Sequence, residues 1–243
     1  MRQESGKNGD LCAGVLKNMA YRYETHLHTS VTSACSCFTP REIVDKYVAL
    51  QYAGVFVTDH FLNGNTTVPP DLCWEERIAK FCEGYEQVKA CAEHTGLSVF
   101  FGLEYSYLGT DFLVYGLEKE WLFAHPEMMR LSAKEFCLFA RKEGGLIVQA
   151  HPCREDWYID HVRLFPSAVD AFETPNANRT DRENRLADVY ANEYRLHKTA
   201  GSDIHAAQQK KLAGMQFATP VLSGKDYAKR VLNGEGEIFT LTE

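Results

Sequence analysis

Short apolar runs alternate with amphipathic stretches along most of the chain. Runs of this length between helical stretches are typical of buried strands. The pattern predicts seven strands, at residues 22–26, 54–58, 98–103, 112–115, 145–149, 168–172 and 199–202. The first run is the weakest, and its neighbours along the chain are the main reason to assign it as a strand.

Helical patterns fill the intervals between these strands. Residues 39–42 read Thr-Pro-Arg-Glu, which combines a capping box with a proline at the first helical position. Ser132 and Thr180 begin two similar sequences, and residues 75–94 form a fourth helical stretch. Strands that alternate with helices predict right-handed crossovers and a mostly parallel sheet. About seven strands in about 220 residues favour an α/β barrel over an open sheet.

Composition limits the number of domains and the kinds of partner. The 243 residues are 45% hydrophobic, which is enough to bury one sizeable core. No repeat, low-complexity tract or linker is visible, so we predict one domain over residues 1–243, with residues 1–20 loosely ordered. The net charge of −7 argues against an extended nucleic-acid surface. A nucleotide substrate stays possible, because bound cations can invert the charge of a cleft.

The sequence also predicts a cytoplasmic protein without a membrane partner. No run of about 18 apolar residues is present, and the first ten residues lack the apolar core of a signal peptide. The eight cysteines form no CxxC pair, and several fall inside predicted helices. A reduced protein fits this pattern better than a disulfide scaffold does.

Ionisable side chains collect at or just beyond the carboxyl ends of the predicted strands. Parallel α/β proteins build their active sites at that edge. The residues are His26, His28, Asp59, His60, Glu104, His151, Asp203 and His205. His26 and His28 lie roughly 6.5 Å apart along one strand face, so both imidazoles can bind one cation. Asp203 and His205 have the same spacing.

Each of these signals alone has an ordinary alternative. Two histidines in an HxH sequence can be exposed, Asp59 can cap a strand end, and Glu104 can be solvated at the rim. Together they comprise five histidines and two carboxylates, besides Asp59, at five strand ends. That is too many imidazoles for a general acid–base pair, and it matches the ligands of two or three divalent metal ions.

The ordered set of sequences around these residues resembles a known family. The chain reads YETHLHTS, VTDHF, GLEYS, QAHP and GSDIH in that order between about Tyr21 and about His205. These sequences are similar to the motifs of the polymerase and histidinol phosphatase (PHP) superfamily. The resemblance implies a distorted (β/α)7 barrel, a trinuclear metal cluster and phosphoester hydrolysis.

The resemblance also implies a ligand assignment. One metal would be held by His26, His28, Glu104 and Asp203. A second would be held by His151 and by Glu104 as a bridge, and a third by His60 and His205. Zinc, manganese and iron are the expected metals, in two or three sites.

Two positions depart from the family pattern. The family usually has Asp or His six to eight residues after HxH, where this chain has Cys35 and its neighbours. It usually has a histidine beyond the sixth strand, where this chain has none. Cys35 is therefore a possible thiolate ligand of the third metal, and Asp181 or Asn176 a possible oxygen ligand of the second.

The predicted reaction is hydrolysis of a small phosphomonoester or phosphodiester by a metal-activated hydroxide. The ligands His151, Glu104 and Asp203 are the residues assigned to catalysis. Arg154 and Arg179 are assigned to the phosphate through two-pronged hydrogen bonds, with ordinary exposed arginines as the alternative. No large inserted domain is evident, so a small substrate such as histidinol phosphate or a nucleoside monophosphate is favoured over a polymer.

Two other functions remain open. A C–N hydrolase of the amidohydrolase type would also use HxH and strand-end ligands. It usually has a bridging lysine at a strand end, and this sequence has none there, whereas Glu104 can bridge as a carboxylate. A non-catalytic, metal-binding regulatory barrel is the second alternative.

Overall fold

The computed structural model describes residues 20–243. In this part of the chain, nine strands form one sheet in the order β7-β6-β5-β4-β3-β2-β1-β8-β9. The strands are β1 (Tyr21–Leu27), β2 (Gly54–Val57), β3 (Ser98–Tyr107), β4 (Thr110–Tyr115), β5 (Leu146–Ala150), β6 (Ala171–Asn176), β7 (His197–Gly201), β8 (Lys211–Phe217) and β9 (Glu237–Thr242). Each of the seven predicted strands overlaps one of β1 to β7, whereas β8 and β9 were not predicted.

The helices begin where the capping sequences predict. They are α1 (Pro40–Ala49), α2 (Trp74–Cys91), α3 (Lys119–Ala124), α4 (Ala133–Lys142), α5 (Asp181–Glu193) and α6 (Gly224–Leu232), with a short 3₁₀ helix at Pro126–Arg130. The hydroxyls of Thr39, Ser132 and Thr180 each accept a hydrogen bond from the backbone N–H three residues later. These bonds satisfy donors that a helix start leaves free, so the predicted capping boxes are confirmed.

The strands β1 to β7 follow one another around a distorted barrel, which confirms the predicted fold class. The barrel closes at the carboxyl end of β1, where Leu27 forms a parallel bridge with Ile204. The N–H of His28 donates to the carbonyl of Ile204 at 3.0 Å, and the N–H of Ile204 donates to the carbonyl of His26 at 3.3 Å. β8 pairs with β1 outside this closure, and β9 pairs with β8.

One strand of the barrel is antiparallel to both of its neighbours. β4 is antiparallel to both β3 and β5, whereas β1–β2, β2–β3, β5–β6 and β6–β7 are parallel pairs. Leu108 and Gly109 connect β3 to β4, and both have positive φ, 49° and 79°. A two-residue hairpin of this kind has no room for a crossover helix. The beginning of β4 therefore lies at the edge where the neighbouring strands end.

Aromatic side chains fill the opposite end of the barrel. Tyr115, the last residue of β4, packs with Phe56 of β2 and Tyr227 of α6, and all three are fully buried. The ring centroid of Phe56 lies 5.3 Å from that of Tyr115 and 4.6 Å from that of Tyr227. This cluster gives the barrel a packed base, and it leaves the other end free for chemistry.

Two expectations concern the chain as a whole. The loosely ordered segment predicted at residues 1–20 lies outside the described residues except for Ala20. The single-domain assignment over residues 1–243 stays a prediction. None of the helices in the described part of the chain is long and apolar enough to cross a membrane.

The aromatic base predicts a stability difference between two Phe→Ala substitutions. Phe56→Ala should lower the free energy of unfolding by about 3–5 kcal/mol, because it leaves a cavity among rings that cannot close over it. Phe123→Ala, at a partly exposed position on α3, is the matched control and should cost clearly less. Urea unfolding followed by circular dichroism measures both. Equal losses for the two variants would contradict this account of the core.

Candidate metal centre

The structure brings all seven predicted ligands together at the open end of the barrel, opposite the aromatic base. They surround a cavity of about 510 Å³, which is lined by His60, Glu104, His151, Asp203 and His205 among others. His26 and His28 are fully buried behind Glu104 and Asp203. Several sets of three donor atoms lie within 4.8 Å of one another. The first ligand set is His26, His28 and Glu104, with Asp203 beside it; the second is Glu104, Asp111 and His151; the third is His28, His60 and His205. A further group of His26, His151 and Asp203 links the first set to the second.

The distances within the first set suit one metal ion. The two Nε2 atoms of His26 and His28 lie 3.1 Å apart, and each lies 3.4 Å from an oxygen of Glu104. The Oδ1 atom of Asp203 lies 3.6 Å and 3.5 Å from the same two nitrogens. Metal–nitrogen bonds of about 2.1 Å at angles of 90–109° place neighbouring donors roughly 3.0–3.4 Å apart. The four side chains therefore form a cage of the right size.

Hydrogen bonds on the far side of each imidazole fix its orientation. The Nδ1 atom of His26 lies 2.8 Å from Oε1 of Glu173, and Nδ1 of His28 lies 3.1 Å from the hydroxyl of Ser33. The Ser33 hydroxyl in turn donates to Asp59 at 2.7 Å. Each histidine then turns its Nε2 atom toward the centre, as metal-binding histidines commonly do.

The centre contains two buried carboxylates, Glu104 and Asp203, that are held in their ionised form. Burial raises the pKa of Glu104, but the His60 and His26 imidazoles outweigh it and hold that pKa well below its usual value. Burial likewise raises the pKa of Asp203, but the His26 and His28 imidazoles outweigh it and hold that pKa well below its usual value. Burial, together with the His60 and His205 rings, holds the pKa of His28 well below its usual value. Two carboxylates are thus negatively charged where water hardly reaches, and a bound cation compensates such charge.

The contact between Glu104 and His60 supports a metal in a second way. Oε2 of Glu104 and Nδ1 of His60 are buried and lie only 2.8 Å apart. The contact falls outside hydrogen-bond geometry, and neither atom has a hydrogen-bond partner elsewhere in residues 20–243. Two donor atoms held this close beside one cavity can be ligands of the same ion. The residues present therefore fit divalent zinc, manganese or iron.

Asp111, which was not predicted, completes the second set. Its side chain is buried near the start of β4, with Oδ2 3.9 Å from Nε2 of His151. Oε1 of Glu104 lies 3.2 Å from the same nitrogen. Burial and then the Glu104 charge raise the pKa of Asp111, as expected for carboxylates that share one site.

Two of the predicted ligands have strained backbones. His151 has φ of 29° and Asp203 has φ of 50°, in the left-handed region that favours glycine. Strain of this kind costs about 1–3 kcal/mol per residue and concentrates at functional sites. Here it turns both side chains from their strand ends into the cavity.

The third set is more open and lies beside Cys35. The ring of His28 lies 4.4 Å from that of His60 and 4.3 Å from that of His205, centroid to centroid. Cys35 lines the cavity beside this set, with the His205 and His60 imidazoles near its thiol. Burial raises its pKa, but these imidazoles outweigh that effect and bring the pKa to about 7. Cys35 therefore borders the third set, although its thiol is not a member of any of the donor sets.

Both arginines assigned to phosphate line the cavity. Nη1 of Arg154 lies 3.6 Å from Oδ2 of Asp111, and its guanidinium stacks on the Tyr158 ring with 5.3 Å to the centroid. The Nε atoms of Arg154 and Arg179 are buried and have no hydrogen-bond partner among the described residues. Both side chains therefore have donors left for an anion.

Three other residues that were considered at the sequence level do not line the cavity. Asn176 is fully buried, and its amide group bonds to Glu173 and to the N–H of Asn178. Asp181 begins α5. Asp111, rather than Asn176 or Asp181, places a carboxylate oxygen in the second ligand set. Asp59 accepts bonds from Thr29 and Ser33 and has the capping role that the sequence favoured.

Comparison with known proteins shows the fold and little else. No family model matches the chain, and a search of curated proteins finds no match. Among solved structures, a two-domain protein of Bacteroides vulgatus that contains a PHP-like metal-dependent phosphoesterase is similar, with a TM-score of 0.68 at 14% identity. The match covers 97% of this chain and 69% of that chain.

Two further solved structures share the fold. A metal-dependent phosphoesterase of Bifidobacterium adolescentis has a TM-score of 0.53 at 16% identity, over 77% of this chain and 88% of that chain. The phosphoesterase activity of this protein, like that of the Bacteroides protein, is inferred. An amidohydrolase of Chromobacterium violaceum with bound sulfate and no metal has a TM-score of 0.57 at 16% identity, over 88% and 97%. The resemblance to PHP-like phosphoesterases is confirmed at the level of the fold.

The second ligand set predicts a selective effect of Asp111→Asn. Calorimetric titration of metal-free protein with Mn²⁺ should show the weaker binding event reduced at least about tenfold, because even outer-shell partners of a metal are worth 10–100-fold. Asp156→Asn is the matched control, since Asp156 pairs with the same Arg154 at 3.6 Å outside the ligand sets. Unchanged binding in Asp111→Asn would remove Asp111 from the centre.

The position of Cys35 predicts a spectroscopic signature. Protein loaded with Co²⁺ should show a thiolate-to-cobalt charge-transfer band in the near ultraviolet, and Cys35→Ser should abolish it. Cys37→Ser, two residues away and also exposed, should keep the band. A band that survives in Cys35→Ser, or that wild type lacks, would show that Cys35 is not a ligand.

Proposed function

We propose that this protein is a metal-dependent phosphoesterase that hydrolyses a small phosphomonoester or phosphodiester. The observation that carries the proposal is one cavity in which buried imidazole and carboxylate donors meet two arginines with free N–H groups. The names of two structural neighbours as metal-dependent phosphoesterases support the same kind of reaction.

The ligand sets support a distribution of the metals among particular side chains. The first metal would be held by His26, His28, Glu104 and Asp203, the second by Glu104, Asp111 and His151, and the third by His60 and His205 with Cys35 beside them. When bound, divalent ions in such sites lower the pKa of water and stabilise negative charge on phosphate oxygens. Glu104 contacts both of the first two sets, so its carboxylate would keep them close together.

The arginines would bind and orient the phosphate group. A guanidinium offers two parallel N–H donors, which match two phosphate oxygens. Arg154 is held in place by the Tyr158 ring and by Asp111, so its position relative to the second ligand set is fixed. Arg179 precedes α5 and lines the same cavity, so it would supply a second guanidinium to the anion.

The size and lining of the cavity favour a small substrate. About 510 Å³ is within the range of sites for small molecules. Besides the ligands and arginines, the wall carries polar side chains from Asn65, Ser106 and Asn178, which suit a leaving group with hydroxyl or amide functions. Histidinol phosphate and nucleoside monophosphates have such groups.

Hydrolysis of a C–N bond is the second candidate, because one structural neighbour is named an amidohydrolase. None of the described residues that line the cavity is a lysine, so the bridging group usual in that class is not found there. The sulfate in that neighbour has the shape and charge of a phosphate group. Parallel assays with aryl phosphates and with simple amides separate the two reactions.

His151→Ala is the direct test of the phosphoesterase. With Mn²⁺ present, the variant should lose hydrolysis of an aryl phosphate to background, because it lacks the imidazole that contacts Glu104 and faces Asp111. His197→Ala, at the amino end of β7, is the matched control and should keep wild-type turnover. Circular dichroism should show both variants folded, and bound metal should fall only in His151→Ala.

Two outcomes would contradict the proposal in different ways. Wild-type turnover in a folded His151→Ala variant with less metal would show that this centre does not carry the reaction. Wild-type protein that binds metal but hydrolyses neither phosphomonoesters nor phosphodiesters would favour the non-catalytic barrel instead.

A further inference from the structure

Glu173 lies inside β6 and was not among the predicted ligands. Its side chain is fully buried between the carboxyl ends of β1 and β5. Neither of its oxygens faces a lysine or an arginine within ion-pair distance among the described residues. A buried carboxylate in that position is costly unless its hydrogen bonds are specific.

The two oxygens of Glu173 contact two different ligand-bearing segments. Oε1 lies 2.8 Å from Nδ1 of His26. Oε2 accepts the backbone N–H of His151 at 3.0 Å and the side-chain amide of Asn176 at 2.8 Å. One carboxylate thus spans from the first ligand set to the second.

The contact with His26 selects one tautomer. A carboxylate oxygen is an acceptor, so the 2.8 Å contact places the ring proton on Nδ1 and leaves the lone pair of Nε2 free. That Nε2 atom points into the first ligand set, 3.1 Å from Nε2 of His28. A carboxylate behind a metal-binding histidine generally fixes the ring and raises its basicity.

The contact with His151 holds a strained backbone. With φ of 29°, His151 occupies a conformation that non-glycine residues leave unless something retains them. The bond from its N–H to Glu173 is such a restraint, and it keeps Nε2 of His151 within 3.2 Å of Glu104.

Gly201 on β7 shows how closely this arrangement is packed. A Cβ atom at residue 201 would lie 2.4 Å from Cβ of His26 and 2.6 Å from Oε1 of Glu173. Any larger residue would therefore push the His26–Glu173 pair apart. Glycine at position 201 is therefore what allows the contact between His26 and Glu173.

We propose that Glu173 is a positioning residue that couples the two metal positions. Its Oε1 atom orients the imidazole of His26 in the first ligand set, and its Oε2 atom holds the backbone of His151 in the second. The inference rests on the proposed metal centre, but not on the reaction that the centre performs.

Titration of metal-free protein with Mn²⁺ tests the coupling. Glu173→Gln keeps the size of the side chain, but its NH₂ group must face either the Nδ1–H of His26 or the donors of His151 and Asn176. Binding at the first and second ligand sets should weaken, each by about 10–100-fold. Asp111→Asn should weaken only one of them.

Thr174→Val is the matched control for a general loss of stability. Thr174 is the next residue on β6, is buried and makes one hydrogen bond, to the carbonyl of Asn184 in α5. Its substitution should leave both binding events unchanged. Equal weakening in Thr174→Val and Glu173→Gln, or wild-type affinities in Glu173→Gln, would overturn the proposal.

The tautomer of His26 gives a measurement on the wild-type protein alone. Long-range ¹H–¹⁵N spectra of the Zn²⁺-loaded protein should show the His26 proton on Nδ1. A proton on Nε2 would overturn the proposal even if Glu173→Gln fails to fold. Wild type that binds no metal would disprove the centre together with this inference. A third outcome separates the two proposals. If Glu173→Gln binds metal more weakly while the wild-type protein hydrolyses no phosphoester, this inference is supported and only the proposed function is disproved.

Discussion

The open end of this barrel is organised around negative charge that is buried away from water. Glu104 and Asp203 are held in their ionised form by imidazoles on several sides, although burial alone would favour their protonation. Such charges destabilise a protein unless they are paired and hydrogen-bonded. The two carboxylates and their partners come from five different strands or the residues just after them, so the centre can form only when the barrel is closed. Charge compensation and barrel closure are therefore the same structural event.

The closure itself explains which residues meet. The backbone of Ile204 pairs with both His26 and His28. That pairing places His26 and His28 of β1 beside Asp203 and His205, on the other side of the barrel closure. Both pairs of residues have i, i+2 spacing. At the far end, Tyr115, Phe56 and Tyr227 give the barrel a packed base. Stability is concentrated at one end and chemistry at the other, which allows His151 and Asp203 to keep strained backbones.

The sequence predicted the strands that carry ligands, because an apolar run followed by a histidine or a carboxylate is visible without a structure. Asp111 escaped this rule because β4 runs backwards, so its functional end comes before the apolar run. Glu173 escaped it because it lies within a strand, and only the distances to His26 and His151 reveal its part. β9 was missed because its residues are mostly exposed along one edge of the sheet, which leaves no apolar run to recognise.

The ligand sets differ in burial, and this difference bears on how the proposed reaction could be divided among them. His26 and His28 are fully buried, and four protein side chains surround the first position, which resembles closed, structural metal sites. His60 and His205 border the cavity and are partly exposed, and Asp111 lies beside Arg154. Catalytic metals keep a coordination position open for water or substrate. Under the proposed function, a metal at the first position would hold Glu104 and Asp203 in place. Contact with the phosphate would belong to the second and third positions, which border the cavity that both arginines line.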